Sequence, residues 1–78
     1  VPDSALMDEA LTLGRELAAA PTAALAATKR LIWDGLGESV EARLPEEART
    51  VSELAATADA REGLAAVIEK RAPRFVGR

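Results

Sequence analysis

The sequence predicts an all-α protein whose four helices form a single helical domain over residues 1–78. Hydrophobic residues make up 49% of the chain, and most of them are alanine or leucine, which favour helices. Apolar residues recur at spacings of three and four, as they do on one face of a helix. No segment alternates apolar and polar residues in the way that a half-buried strand requires. These observations together predict helices from end to end.

The first predicted helix follows Val1-Pro2, an extended dipeptide that suggests a chain already under way. Asp3 or Ser4 is expected to cap this helix, because its side-chain oxygen can accept a hydrogen bond from an amide of the first turn. The helix is expected to end at about Ala20. Its apolar residues fall on one stripe that we expect to be buried: Leu6, Ala10, Leu13 and Leu17.

The second predicted helix covers roughly residues 22–34, and Pro21 suits its first position because that position needs no amide donor. Trp33 is a bulky anchor near the end of the helix. Gly35 and Gly37 then break the pattern. The apolar side of this helix consists of Leu25, Thr28, Ile32 and Leu36.

The third predicted helix opens with Ser39 as a candidate N-cap and continues to Ala55. Pro45 interrupts it, and a proline inside a helix removes a hydrogen bond at a cost of about 3 kcal/mol. The apolar stripe nevertheless continues across Pro45. The pattern therefore favours one kinked helix over two separate ones.

The fourth predicted helix runs from about residue 58 to residue 71. Thr57 is its N-cap, and Asp59 and Glu62 put negative charge in the first turn, where the helix dipole favours it. Pro73 is expected to stop the helix. Its apolar face consists of Ala60, Leu64, Val67 and Ile68.

The composition excludes several classes of chemistry. The chain has no cysteine and no histidine, so it offers neither disulfides nor the usual acid–base residue of neutral pH. The core of a 78-residue helical chain this rich in alanine must be thin, which indicates a partner surface. No apolar run approaches the length of a membrane span. We therefore expect a soluble, cytoplasmic protein.

Charge is distributed unevenly along the chain. The net charge is −3, yet residues 69–78 carry four cations against one acid. A basic end on an acidic body can bind an anion such as a phosphate. The alternative is that these cations only cap the last helix and solvate the terminus. Nucleic-acid binding is not expected, because the cations are few and no aromatic residues interleave them.

No constellation in the sequence supports acid–base or metal chemistry. Glu46 and Glu47 diverge around their helix, whereas Asp59 and Glu62 share a face but fit an ordinary charged first turn. No spacing of metal ligands is present. Phe75, flanked by cations, is either a hydrophobic peg for the tail or part of a site for a nucleotide-like ligand. We accordingly expect no catalytic and no metal-binding residue.

The residues around this last helix carry a family resemblance. They are Asp59, Glu62-Gly63, Ala66 and the run Glu69-Lys70-Arg71-Ala72-Pro73-Arg74-Phe75, supported by Pro21, Ala24 and Thr28-Lys29 further back and by Val1-Pro2-Asp3. On these residues, over nearly its whole length, the chain resembles the C-terminal helical region of the crotonase superfamily, the enoyl-CoA hydratase/isomerase family.

The resemblance implies a part of an acyl-CoA enzyme of fatty acid metabolism, most commonly one that hydrates 2-enoyl-CoA thioesters. It implies that the catalytic core of ββα repeats, absent from this sequence, holds the oxyanion hole and the acid–base glutamates. This segment alone would then be inactive. It also implies a homo-trimer or a dimer of trimers, and C-terminal helices that cover the CoA site. Lys70 and Phe75 match the family positions near the CoA nucleotide, and CoA is part of the substrate, not a separate cofactor.

Three positions depart from the family pattern: Val67, Ala55 and Pro45. They leave open which reaction is catalysed, an isomerisation included. Two other classes of protein also remain open. One is an acyl-carrier protein, because Gly37-Glu38-Ser39-Val40 loosely resembles a carrier serine at the start of a helix. The other is a free-standing helical interaction module.

Overall fold

The computed structural model describes all 78 residues and consists of four α-helices and one short 3-10 turn at Asp3–Ala5. No strand is present, so the prediction of an all-α, four-helix chain is confirmed. The helices are α1 (Leu6–Ala19), α2 (Thr22–Gly35), α3 (Val40–Ala55) and α4 (Ala58–Glu69).

The start of α1 differs from the prediction. Neither Asp3 nor Ser4 caps the helix with its side chain. The backbone satisfies these amides instead: the Ala5 N–H donates to the Pro2 carbonyl at 2.9 Å, and the Leu6 N–H donates to the Asp3 carbonyl. A 3-10 turn therefore takes the place of the predicted cap.

The predicted caps of α3 and α4 are confirmed. Ser39 Oγ accepts a hydrogen bond from the Ala42 N–H at 3.2 Å. Thr57 Oγ1 accepts one from the Ala60 N–H at 3.1 Å, and its hydroxyl donates to the Leu54 carbonyl at 2.7 Å. Thr57 thus joins the end of α3 to the start of α4.

Pro45 lies inside α3, and the helix continues through it from Val40 to Ala55. The prediction of one helix and not two is confirmed. Pro21, in contrast, occupies the N-cap position just before α2, one residue earlier than predicted. Its carbonyl accepts a hydrogen bond from the Leu25 N–H at 3.1 Å.

The end of α4 also differs from the prediction, which extended the helix to Arg71 and stopped it with Pro73. The helix ends at Glu69, because Lys70 adopts a left-handed conformation with φ 53° and ψ 46°. The Arg71 N–H then donates to the Ala66 carbonyl at 3.0 Å and closes the helix end. A residue with a Cβ pays for this geometry in strain, since glycine is the usual occupant. The turn directs the following residues back along α4.

The helices pack in series: α2 lies on α3 and α3 on α4. Between α2 and α3, Arg30 Nη2 donates to the buried Thr50 hydroxyl at 3.3 Å. The radius of gyration is 15.9 Å, against about 11.5 Å for a compact domain of this length. The chain is therefore extended, with principal dimensions of 45 × 37 × 18 Å.

Only four residues are buried: Ala27, Thr50, Asp59 and Ala66. The prediction of a buried stripe on α1 is wrong for the chain by itself, because no residue of that helix is buried and Leu13 is 57% exposed. On α4, Leu64, Val67 and Ile68 are exposed as well. The amphipathic faces exist as the sequence predicts, but nothing within the chain covers them.

Candidate functional site

The C-terminal tail, defined here as residues 70–78, folds back along α4. It leaves the end of the helix at Lys70 and returns to its first turn, where the Asp59 N–H donates to the Arg78 carbonyl at 3.0 Å. A helix of 12 residues is about 18 Å long, so the tail spans the length of α4. This segment holds both candidate binding residues, Lys70 and Phe75.

Asp59 anchors the far end of the tail. Its Oδ1 accepts a hydrogen bond from the Val76 N–H at 2.7 Å, and its Oδ2 accepts one from the Gly77 N–H at 2.8 Å. The residue is only 4% exposed. Gly77 has φ +85°, and a Cβ there would lie 3.5 Å from Thr22 Oγ1. That distance is an ordinary van der Waals contact, so it is the left-handed φ of the turn, and not the approach to α2, that favours glycine here.

Glu62 anchors the middle of the tail. Its Oε1 accepts a hydrogen bond from the Arg74 N–H at 2.9 Å. The Arg71 guanidinium also donates to both carboxylate oxygens, at 2.5 and 3.1 Å, in the bidentate geometry that arginine favours. Arg71 Nε donates to Glu69 at 2.6 Å. These contacts fix the bend between α4 and the tail.

This bonding shifts the pKa of both partners. The Arg71 hydrogen bonds, followed by the Arg74 N–H, lower the pKa of Glu62 from its ordinary 4.5 to about 2. Hydrogen bonds to Glu62 and then Glu69 raise the pKa of Arg71. Both groups are therefore charged across the physiological range.

The Glu62 contacts predict a specific acid sensitivity. A carboxyl whose pKa is lower when folded contributes stability above its unfolded pKa and loses it as the pH falls through the folded one. We therefore expect Glu62→Gln to lower the free energy of unfolding at pH 5 and to differ progressively less from the natural protein as pH falls from 4.5 to 2. Urea unfolding at several pH values measures this. Glu9→Gln, on the exposed first turn of α1, is the control, and an equal pH profile for both variants would contradict the account.

Phe75 lies over the bare surface of α4 at Gly63. A Cβ at Gly63 would be 3.7 Å from Cε1 of the Phe75 ring, so the ring rests where the helix has no side chain. The ring also lines an apolar cavity of about 380 Å³ between α2, α3 and α4. Other residues of its wall include Pro21, Ala24, Val51, Leu54 and Ala60.

Lys70 stands apart from Phe75. It is exposed and takes part in none of the ion pairs of the chain. Gly63, beneath the Phe75 ring, precedes Lys70 by seven residues, or about 10 Å along a helix axis. The structure therefore presents an ammonium group at one end of α4 and an aromatic ring near its middle. The two candidate binding residues are therefore separated along α4 and do not form a single cation–aromatic pair.

The roles of Asp59 and Glu62 were not fully predictable from the sequence. Their interpretation as structural residues is confirmed, but each binds backbone amides of the tail in addition to lying at the start of α4. Every residue except proline has a backbone N–H, so the order of residue types does not show which of these donors a carboxylate will bind. The available signal was that the two carboxylates share a face one turn apart and that a tail follows the helix.

The remaining acidic residues form no site of their own. Glu46 accepts hydrogen bonds from Arg49 on the next turn of α3, and these lower the pKa of Glu46. No group of three or more acidic, histidine or cysteine residues could hold a metal ion. None of the helices combines the length and the apolar character needed to cross a membrane.

Comparison with known proteins places this architecture in a family. The sequence model of the enoyl-CoA hydratase/isomerase family matches residues 1–78. A probable enoyl-CoA hydratase of Rhodobacter capsulatus is 48% identical over 62 residues, which are 80% of this chain and 24% of that protein. The 2,3-dehydroadipyl-CoA hydratase of Escherichia coli is 34% identical over 99% of this chain and 30% of its own length.

Solved structures share the fold. The chain superimposes on an enoyl-CoA hydratase of Geobacillus kaustophilus with a TM-score of 0.90 and 28% identity, covering 99% of this chain and 29% of that one. For an enoyl-CoA hydratase of Mycobacterium marinum the TM-score is 0.84 at 33% identity, with 100% and 32% coverage. The helices and tail thus define a helical segment of crotonase-fold proteins. The chain belongs to the enoyl-CoA hydratase/isomerase family, and it spans about a quarter to a third of the length of these relatives.

Proposed function

We propose that this chain is the C-terminal helical part of an acyl-CoA enzyme, and that the whole protein hydrates 2-enoyl-CoA thioesters. The support is the 48% identity to a probable enoyl-CoA hydratase, together with the second hydratase relative. Isomerisation is the second candidate, because a 1,2-epoxyphenylacetyl-CoA isomerase of Escherichia coli is 38% identical over the full chain. The family match gives no support to an acyl-carrier function, and Ser39 serves as a helix cap.

In this proposal the helices support assembly. The observation that carries it is the exposed apolar surface: a 78-residue chain that buries four residues leaves Leu6, Leu13 and Leu17 of α1 in solvent. Exposed apolar faces of this extent mark contacts with other protein surfaces. The catalytic core of the same protein and neighbouring subunits of a trimer, or of a dimer of trimers, would cover them.

The chemical step would belong to that core. An oxyanion hole stabilises the enolate of a thioester by donors aimed at the developing charge, and no such constellation is present in residues 1–78. This chain would bind and cover the substrate. The Lys70 ammonium would form charge-assisted hydrogen bonds with CoA phosphates, and the Phe75 ring would pack on the adenine. CoA enters as part of the substrate, and the protein would act in the cytoplasm.

Removing these two side chains tests the proposal. Lys70→Ala and Phe75→Ala are each expected to raise the Kd of the whole protein for CoA about tenfold, which corresponds to about 1.4 kcal/mol. Alanine keeps the Cβ of Lys70, so the strain at φ 53° is unchanged. Isothermal titration measures the affinity.

The chain offers a matched control for each variant. Lys29→Ala removes the only other lysine, and Val76→Ala shortens the exposed residue next to Phe75. Both should leave CoA affinity unchanged. Unchanged affinity in both Lys70→Ala and Phe75→Ala would reject the proposed contacts with CoA and leave the tail with a structural role only.

A further inference from the structure

We propose that Asp59 is a positioning residue for CoA binding, acting through Phe75. The proposal rests on the function above, in which Phe75 contacts the nucleotide. Asp59 itself is buried beneath the tail and has both carboxylate oxygens occupied by backbone amides. It therefore does not touch CoA, and its effect must pass through the tail.

The first step is that Phe75 is held from both sides. The Arg74 N–H donates to Glu62, and the Val76 N–H donates to Asp59. We call Asp59 and Glu62 the carboxylate clasp. The clasp anchors the backbone immediately before and immediately after the aromatic residue, so it determines where the ring can lie.

The second step is that the spacing of the two acceptors on the helix is close to the spacing of the two donors on the tail. Asp59 and Glu62 are three residues apart on one helix, which is about 4.5 Å of axial rise. Arg74 and Val76 are two residues apart, which is about 6.6 Å in extended chain. The difference of about 2 Å is small enough for both carboxylate side chains to reach their amides as the tail runs back along α4, Glu62 to Arg74 and Asp59 to Val76. In that arrangement the Phe75 ring lies over Gly63, the residue that follows Glu62 in the sequence.

The third step is that the tail has few other holds. Four hydrogen bonds join the backbone of residues 74–78 to α4, and two of them go to the Asp59 carboxylate. A third runs from the Asp59 N–H to the Arg78 carbonyl and does not depend on the side chain. The ring itself is only half-buried. Without the Asp59 carboxylate, Val76 and Gly77 lose their acceptors, and the bond from Arg74 to Glu62 is the one remaining anchor on a residue adjacent to Phe75.

Asp59→Asn offers a nearly isosteric test of this geometry. A carboxylate can accept both N–H groups, one on each oxygen, whereas an amide side chain has one acceptor oxygen and one donor group. In the variant, one tail amide faces a donor. We expect a smaller effect than in Asp59→Ala, in the same direction.

The experiment combines amide exchange with CoA affinity in the whole protein. In Asp59→Ala, exchange at Val76 and Gly77 should accelerate at least tenfold, and the Kd for CoA should rise about as much as in Phe75→Ala. In the double variant with Phe75→Ala, the Kd should be no higher than in Phe75→Ala alone, because Asp59 acts through that ring. The turnover number at saturating substrate should stay unchanged. Asp8→Asn, on exposed α1, is the control.

Three outcomes would overturn the proposal, and they are distinguishable. Unchanged exchange in Asp59→Ala would show that the carboxylate does not hold the tail. Faster exchange with unchanged CoA affinity, while Phe75→Ala weakens binding, would reject the positioning role and leave the proposed function intact. Unchanged affinity in Phe75→Ala would reject the proposed CoA contact, and the positioning role with it.

Discussion

Leu13→Glu is expected to lower the free energy of unfolding of the whole protein by more than about 3 kcal/mol. Leu13 lies at the centre of the apolar stripe of α1 and is 57% exposed in the chain by itself. If the catalytic core of the same protein or a neighbouring subunit covers that stripe, the substitution removes a packed leucine and places a carboxylate in an apolar contact. Chemical denaturation of the whole protein measures the loss.

One comparison separates this effect from a general effect of charge. Thr12→Glu adds the same charge on the preceding residue, which points away from the stripe and is exposed. It should change the free energy of unfolding by less than about 0.5 kcal/mol. Equal losses in the two variants would contradict the assignment of the stripe as a contact surface.

Asp59→Ala is expected to lower the free energy of unfolding by about 3 kcal/mol, because hydrogen bonds to a charged acceptor contribute about 1.5–3 kcal/mol each. Two such bonds, at 2.7 and 2.8 Å, are lost together, and the residue is buried. The released amides can reach water, which is why the expected loss is below the full sum. Urea unfolding followed by circular dichroism measures it.

The control for this variant is Asp3→Ala, which removes an exposed carboxylate that caps no helix. Its free energy of unfolding should be within about 0.5 kcal/mol of that of the natural protein. Asp59→Asn should fall between the two. A loss in Asp59→Ala no larger than in Asp3→Ala would mean that the hydrogen bonds from the tail to the Asp59 carboxylate contribute nothing to stability.

The local signals in the sequence predicted most of the fold. Ser39 and Thr57 cap their helices because a short side-chain oxygen next to the first turn needs no tertiary context. Pro45 is tolerated inside α3, as the uninterrupted stripe indicated. Helix order and helix type follow from such local features and from the 3.6-residue period.

The errors arose where the backbone itself supplies the partner. At the start of α1 a 3-10 turn replaces the cap that Asp3 or Ser4 could have provided. At the end of α4, Lys70 adopts a left-handed conformation, which the residue type lysine does not predict. The hydrogen bonds from the tail to Asp59 and Glu62 were missed for the same reason, because their donors are backbone N–H groups. Side-chain patterns carry little information about backbone donors.

The apolar stripe of α1 shows a different limit. The sequence identifies which residues of a helix share a face, but not which surface covers that face. The stripe is predicted to be buried, and no residue of α1 is buried within the chain by itself. Its cover must come from outside residues 1–78 in the proposed assembly.

The most direct test of this account uses the absence of cysteine from the chain. Leu13→Cys places a thiol on the stripe, and Arg15→Cys places one on the opposite face of α1. Maleimide labelling of the whole protein, with the α1 peptide followed by mass spectrometry, then compares the two positions. We expect labelling at position 13 to be at least tenfold slower than at position 15. Equal rates would show that the stripe faces solvent and would contradict the proposed assembly.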